Sequence, residues 1–274
     1  MRGVRAVRSA CLVKKRKIKN SLRTHLFIGF VVFSAESIFF VLPDGLNFLP
    51  NKAKRGILNH MENQNENQYE KALRIMQSVP ADTKLLLHSC CAPCSSSCLE
   101  LLHKYFCVTV FYYNPNINDE GEYLKRKSEQ IRFLKETGWA NILDCDHDAA
   151  AFQNIATGLE TCPERGERCY KCYEIRLKKT AFAAKENGFD YFTTTLSVSP
   201  YKVSRWINEI GYALEKEIGV KFLPSDFKKR GGYLRSVQLS ETYGLYRQNF
   251  CGCRFSQKER ELKALSEKKV PEIR

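Results

Sequence analysis

A chain of 274 residues, 43% of them apolar, can bury one sizeable core, and its 12 cysteines are too sparse for a small disulfide-stapled scaffold. The net charge of +14 suggests a nucleic-acid partner until it is divided. Residues 1–60 hold 12 Lys/Arg against 2 Asp/Glu, or +10, which leaves 32 against 28, or +4, for the rest. Charge alone therefore does not mark residues 61–274 as a nucleic-acid binder.

Residues 14–23 are a basic run ahead of an apolar stretch from Leu26 to Leu42, which Glu36 interrupts. Such a stretch falls short of the roughly 20 apolar residues that a spanning helix needs. After Met61 the composition turns abruptly to Asn, Gln and Glu. Translation is expected to start there, with residues 1–60 outside the fold, no role for Cys11, no membrane attachment, and residues 61–274 forming a single catalytic domain.

Tyr69, Ala72, Leu73, Met76 and Val79 recur at helical spacing, and Pro80 closes that helix. Leu85 to Leu87 then reads as a buried parallel strand ending at His88. The turn after it holds Cys90, Cys91 and Cys94, with a helix expected to begin near Ser95 to Ser97. Phe106 to Tyr112, rich in aromatic and β-branched residues, is a second strand leading into Tyr113-Asn114-Pro115-Asn116. A helix over 119–137 has Tyr123, Leu124, Ile131 and Leu134 on its apolar face, Lys125-Arg126-Lys127 on its wet face, and Gly138 as its stop. There follow a strand from Asn141 to Cys145, a helix led by Asp146-His147-Asp148, a polar loop over 158–168, and Cys169-Tyr170-Lys171-Cys172 at the start of a helix running to Gly188. Tyr191 to Leu196 is a fourth strand, Val203, Trp206, Ile207, Ile210 and Leu214 mark the next helix, and Val220 to Leu223 is a fifth strand. The alternation predicts an α/β fold, a mostly parallel sheet with helices on both faces. From Gln257 the chain reads as a charged, solvated helix.

Open sheets of this kind bind ligands at the carboxyl ends of their strands, where Cys90, Cys91 and Cys94 are expected. A helix N-terminus beside them favours thiolate. Cys90 and Cys91 with Cys169 and Cys172 offer four thiolates from two turns, a set that suits zinc or an iron–sulfur cluster; the directly adjacent pair is poor at zinc-knuckle geometry, which favours the cluster. Cys91-Ala92-Pro93-Cys94 also has the spacing of a thioredoxin-type dithiol, which has no use for Cys90 or the distal pairs. Cys251-Gly252-Cys253 is either a strained, easily reduced disulfide serving as a two-electron relay or a pair of further metal ligands. Lys228 to Arg235 combines cations, glycines and Tyr233, as a loop holding phosphates and a base would. The acidic residues around His147 read as a helix cap. Cys98, Cys107 and Cys145 read as packing thiols, and Cys162 has no partner at useful spacing.

His88-Ser89-Cys90-Cys91-Ala92-Pro93-Cys94, Phe111-Tyr112-Tyr113-Asn114-Pro115-Asn116-Ile117, the run from Pro163 to Cys172, Lys229-Arg230-Gly231-Gly232 and Phe250-Cys251-Gly252-Cys253 occur in this order. In this the chain resembles QueH-type epoxyqueuosine reductases, over about residues 80 to 256. The resemblance implies a cytoplasmic enzyme acting on epoxyqueuosine at the tRNA wobble position in the last step of queuosine synthesis. It also implies a Rossmann-like sheet similar to ATP-pyrophosphatase-type folds, a [4Fe–4S] cluster and an additional iron. It matches Cys90, Cys91, Cys169 and Cys172 to the cluster ligands and Cys251 and Cys253 to a redox-active pair. Cys94 is expected near the second iron, and Tyr112, Asn114, Lys229, Arg230 and Tyr233 near the substrate. Turning an epoxide into an alkene and water consumes two electrons and two protons. An electron donor is therefore required, and Tyr112, Tyr113 and His88 are the candidate proton donors.

Two other classes are weighed. A thiol–disulfide or zinc-structured binding protein would hold zinc and no colour. An ATP-dependent tRNA thiolation enzyme on a similar sheet would need a glycine-rich phosphate loop where this chain has Ser89-Cys90-Cys91-Ala92-Pro93-Cys94.

Overall fold

The computed structural model describes residues 67–267. The apolar stretch from Leu26 to Leu42, Cys11 and the expected start at Met61 lie outside them. Helix α1 (Gln68–Ser78) precedes β1 (Lys84–His88), α2 (Ala92–Leu102) leads to β2 (Cys107–Phe111), and α3 (Glu120–Thr137) leads to β3 (Asn141–Leu143). Helices α4 (Ala149–Ala156) and α5 (Glu167–Glu186) lead to β4 (Tyr191–Thr194). A 3-10 turn (Thr195–Val198), α6 (Ser204–Ile218) and β5 (Lys221–Phe222) complete the sheet, followed by α7 (Gly232–Thr242) and α8 (Arg254–Glu267).

The five strands are all parallel, in the order β3-β2-β1-β4-β5. The central strand shows why. Leu85 and Leu87 pack with Ala72, Leu99, Val110 and Phe133 from α1, α2, β2 and α3, while Leu86 points the other way, to Tyr173, Leu177 and Ile207 of α5 and α6. A strand buried on both faces must be apolar throughout, and a sheet sandwiched between helices is the architecture that buries it. Strand order reverses between β1 and β4, so the crevice beyond the carboxyl ends of these two strands is where such a sheet accepts a ligand.

Several elements differ from the sequence expectation at their ends. Helix α2 starts at Ala92, not at Ser95 to Ser97: Pro93 presets the first turn, and Ser95 N–H donates to the Cys91 carbonyl at 3.0 Å. Cys94 therefore lies in the first helical turn. Leu196 falls in the 3-10 turn, and Cys145 lies beyond β3, half-buried, with its thiol donating to the Tyr112 carbonyl at 3.2 Å. Cys107 opens β2 and is also only half-buried. The basic segment expected as a glycine-loosened loop becomes the start of α7; a Cβ on Gly232 would stand 1.9 Å from the Phe227 carbonyl oxygen, so close approach sets this glycine. Among the described residues no helix is long and apolar enough to cross a membrane.

Helix α6 lies so close to β5 that a Cβ on Gly211 would stand 2.4 Å from the Phe222 ring. Gly211→Ala is expected to lower stability by about 1–3 kcal/mol through overpacking, read as a drop in the thermal midpoint; an unchanged midpoint would contradict this packing.

Candidate active site

Strand β1 ends in buried His88, and the chain then turns through Ser89 and Cys90 to Cys91, which precedes α2. The Cys90 and Cys91 sulfurs are 3.9 Å apart, and those of Cys90, Cys91 and Cys94 all lie within 4.8 Å of one another. Thiolates sharing one tetrahedral ion with bonds of 2.3 Å stand about 3.8 Å apart, so this triad could hold a single metal ion. Hydrogen bonds from Cys91 and Cys94 hold the Cys90 thiol well below its ordinary range, and Thr195 Oγ1 donates to it at 3.5 Å. The hydrogen bond it donates to Cys90 pushes the Cys91 thiol up to about 12.

A second group gathers where α5 begins. Cys172 and Cys253 are buried in one apolar cluster with Phe152 and Ala156, and half-buried Cys251 packs against it. The Cys251 and Cys253 sulfurs are 3.5 Å apart and are free thiols. The hydrogen bond to Cys253, then the Lys202 ammonium, hold Cys251 well below the usual thiol range. Lys202 also faces Glu164 at 3.5 Å and feels Cys169. Cys169 accepts the Arg165 N–H at 3.3 Å. Between the Cys251 and Cys253 side chains, Gly252 has φ 102°, and a Cβ there would stand 2.7 Å from Ile117 Cγ1, so conformation and contact both require glycine. The loop after β2 holds this turn in place, with Asn116 Nδ2 donating to the Cys251 carbonyl at 2.9 Å.

Arg176 joins the two groups. It is 3% exposed and stands one turn beyond Cys172. Its Nε donates to His88 Nε2 at 3.2 Å, its Nη2 to Asn114 Oδ1 at 2.6 Å, and its Nη1 lies 3.9 Å from Cys172 Sγ. Asn114 in turn donates to the Ser89 carbonyl at 2.9 Å, and His88 Nδ1 meets Thr194 Oγ1 at 2.8 Å. Among the described residues no carboxylate is a partner of this guanidinium. Burial opposes its charge, and the negative charge that sustains it comes from the Cys172 and Cys90 sulfurs. Such a donor set fits an anionic thiolate-bound group, since cation and thiolates would each be costly to bury alone.

Beneath the thiol turn lies a polar layer from α3. Gln130 Oε1 accepts from Ser89 Oγ at 2.7 Å and from Ser95 Oγ at 2.9 Å. Arg126 Nε donates to Glu122 at 2.6 Å, its guanidinium lies over the Phe250 ring at 5.0 Å, and Glu122 also accepts from the Tyr246 hydroxyl.

A family model described as epoxyqueuosine reductase QueH matches residues 85–259. The chain belongs to that family. Relatives named epoxyqueuosine reductase QueH include one from Staphylococcus epidermidis, 41% identical over 211 residues, 73% of this chain and 88% of the relative. Another, from Streptococcus pyogenes serotype M1, is 40% identical over 210 residues, 72% of this chain and 82% of the relative. One from Thermotoga maritima is 37% identical over 182 residues, 64% of this chain and 91% of the relative.

Of the residues expected at a QueH site, the structure brings Cys90, Cys91 and Cys94 into one tight group and sets Cys172 with Cys251 and Cys253 in the other, while Cys169 packs, as Cys90 does, against the Leu86 cluster and feels the Cys251 charge. Tyr112 and Asn114 leave β2 at the same edge. Lys229 and Arg230 instead line a surface groove with Tyr69, Ser97, Lys104 and Arg235, whose lining contains no thiol. There Arg230 pairs with Glu70 at 2.7 Å, and Tyr233 stands nearby in sequence on the exposed start of α7. Asp148 caps α4 by accepting from Ala151 N–H at 3.2 Å, and His147 stacks on Tyr123 with its Nε2 2.7 Å from the Ile117 carbonyl. Cys98 is buried in the core. Arg126 overturns the wet-face reading of Lys125-Arg126-Lys127: it is 2% exposed, held inside by Glu122 and Phe250, while Leu124 is 54% exposed. Arg126, Gln130, Arg176 and Lys202 were not legible as site residues. The available signal was spacing, since Tyr123, Arg126, Gln130 and Phe133 share a helical face and Arg176 follows Cys172 by four.

Burial, with the Arg176 charge second, lowers His88 to about 3, so it stays neutral where a free histidine would titrate. Unfolded, it would take up a proton near pH 6.5, so its contribution to stability is lost as pH falls from about 6.5 toward 3. In thermal melts between pH 7.5 and 5, His88→Gln is expected to be less stable than wild type at the upper end and to lose less on acidification. An equal loss in both proteins would contradict a neutral, buried His88.

Proposed function

We propose that this chain reduces epoxyqueuosine to queuosine at the wobble position of tRNA, with the thiols at the carboxyl edge of the sheet as the reaction centre. Family membership over residues 85–259 carries the activity. The supporting observation for the centre is Arg176, a buried cation with thiols instead of carboxylates around it.

Cys90, Cys91, Cys169 and Cys172 would hold a [4Fe–4S] cluster, and Cys94 would stand beside an additional iron. A bound cluster supplies electrons one at a time. The chain's own residues do the rest. Arg176 balances thiolate charge and fixes the ends of β1 and β2 through His88 and Asn114. The Cys251/Cys253 dithiol balances the reaction: epoxide plus two thiols gives alkene, water and a disulfide, so two C–O and two S–H bonds break while one C=C π, one S–S and two O–H bonds form. An external electron donor then reopens the disulfide. Lys202 favours the Cys251 thiolate that starts such an exchange. His88, neutral and already engaged on both ring nitrogens, serves as a positioning residue rather than an acid. The groove with Lys229 and Arg230 would meet RNA phosphates, with Tyr233 beside it. Thiol ligands and a cycling dithiol both suit the cytoplasm, where thiols are kept reduced.

Protein prepared without oxygen is expected, with a reductant, to remove one oxygen from an epoxyqueuosine anticodon stem–loop, read by mass spectrometry. Cys90→Ala and Cys251→Ala should each slow this at least about 100-fold, the scale at which lost positioning is felt. An unchanged stem–loop together with bound zinc would favour the thiol-exchange or structural-zinc class instead.

A further inference from the structure

Tyr112 Oη, Arg126 Nη2 and Gln130 Nε2 are buried hydrogen-bonding atoms without a partner among the described residues, on side chains 0, 2 and 0% exposed. Each is tied to the thiol groups. Gln130 is anchored through its other atom to Ser89 and Ser95, which flank the triad. A Cβ on Gly252, between the redox-pair cysteines, would lie 3.3 Å from Arg126 Nη1. Tyr112 packs on Tyr123 of the same helical face at 5.5 Å and stands within electrostatic reach of both Cys91 and Arg126. Buried donors left without acceptors are costly, and two of these stand one turn apart on the inner face of α3 while the third packs on Tyr123 of that face.

We propose that Tyr112, Arg126 and Gln130 form the site that receives the epoxide oxygen of the substrate, with Tyr112 donating its first proton. The proposal rests on the epoxyqueuosine reductase reading and adds to it the groups that recognise the leaving oxygen. An epoxide oxygen is an acceptor, and all three free atoms are donors. When the first C–O bond opens, the oxygen becomes an alkoxide and takes the Tyr112 proton, leaving a phenolate within reach of the Arg126 guanidinium. When the second C–O bond breaks, the ring carbons form the double bond, and the oxygen leaves as water with a second proton from solvent. The two electrons are those of the Cys251/Cys253 dithiol, which becomes a disulfide, returns its two protons to solvent and is reopened by an external reductant. Tyr112 is reprotonated from solvent and is unchanged over the cycle.

Tyr112→Phe tests this because it removes only an oxygen that makes no hydrogen bond among the described residues. A structural role would make the variant less stable. The site assigned here predicts an unchanged or higher thermal midpoint and unchanged iron content. It also predicts turnover lower by at least about 100-fold, the range of a lost general acid. A binding measurement without reductant gives the second readout: wild type should prefer the epoxyqueuosine stem–loop over the queuosine stem–loop, which lacks the oxygen, and Tyr112→Phe should lose that preference. Gln130→Glu keeps the acceptor for Ser89 and Ser95 but replaces the free donor, and should lose the preference as well. If wild type discriminates and turns over while both variants behave like it, the oxygen site is overturned and the reductase reading stands. If wild type does neither, both fall.

Discussion

A buried guanidinium without a carboxylate is the constraint on which this site depends. Arg176 cannot be left in an apolar interior unless its charge and its N–H groups are met. They are met by the imidazole that ends β1, the amide that follows β2, and the sulfur of Cys172 on its own helix. One side chain thus fixes the separation of two strand ends and a helix. Burial holds the Cys172 thiol up, so the negative charge beside the guanidinium falls to Cys90, whose thiol is held well below its ordinary range.

The topology makes that arrangement possible. Reversal of strand order between β1 and β4 opens the sheet edge where His88, Thr194 and Thr195 emerge, and α5 crosses the opposite face to bring Cys169, Cys172 and Arg176 to the same edge. Helix α3 closes the site from the other side with an unusual inner face: Tyr123, Arg126 and Gln130 lie where a packing helix normally places apolar residues. Glu122, Tyr246 and Phe250 make this tolerable by meeting the Arg126 charge and covering its plane. The turn holding Cys251 and Cys253 rests on that face through Gly252 and on the loop after β2 through Asn116.

Much of the fold was legible because its signals are local. Apolar Leu85 to Leu87, the aromatic and β-branched second strand and the Gly138 stop each act within a few residues, and the alternation of strand and helix dictates the parallel sheet. The cysteine spacings pointed to the correct edge of that sheet. Hydrophobic periodicity could not see the inward-facing polar residues: Arg126 sits between two lysines and reads as solvent-facing until a partner from residues 246–250 folds over it. Arg176 reads as one more charge on a basic helix, and its role appears only when His88 and Asn114, 88 and 62 residues away, come within hydrogen-bond distance. The segment from Lys228 to Arg235 went the other way, since glycine there marks a close backbone contact rather than a loose loop.

The central claim is that the Arg176 charge and the surrounding thiolates sustain one another. It is tested most directly by measuring iron and acid-labile sulfide, with visible absorbance, on wild type and Arg176→Met purified without oxygen. The account predicts about four or more irons with matching sulfide in wild type, and loss of most of both in a variant that keeps its helical content. Equal iron and sulfide in the two proteins would contradict the role given to Arg176, and zinc without sulfide in wild type would contradict the site itself.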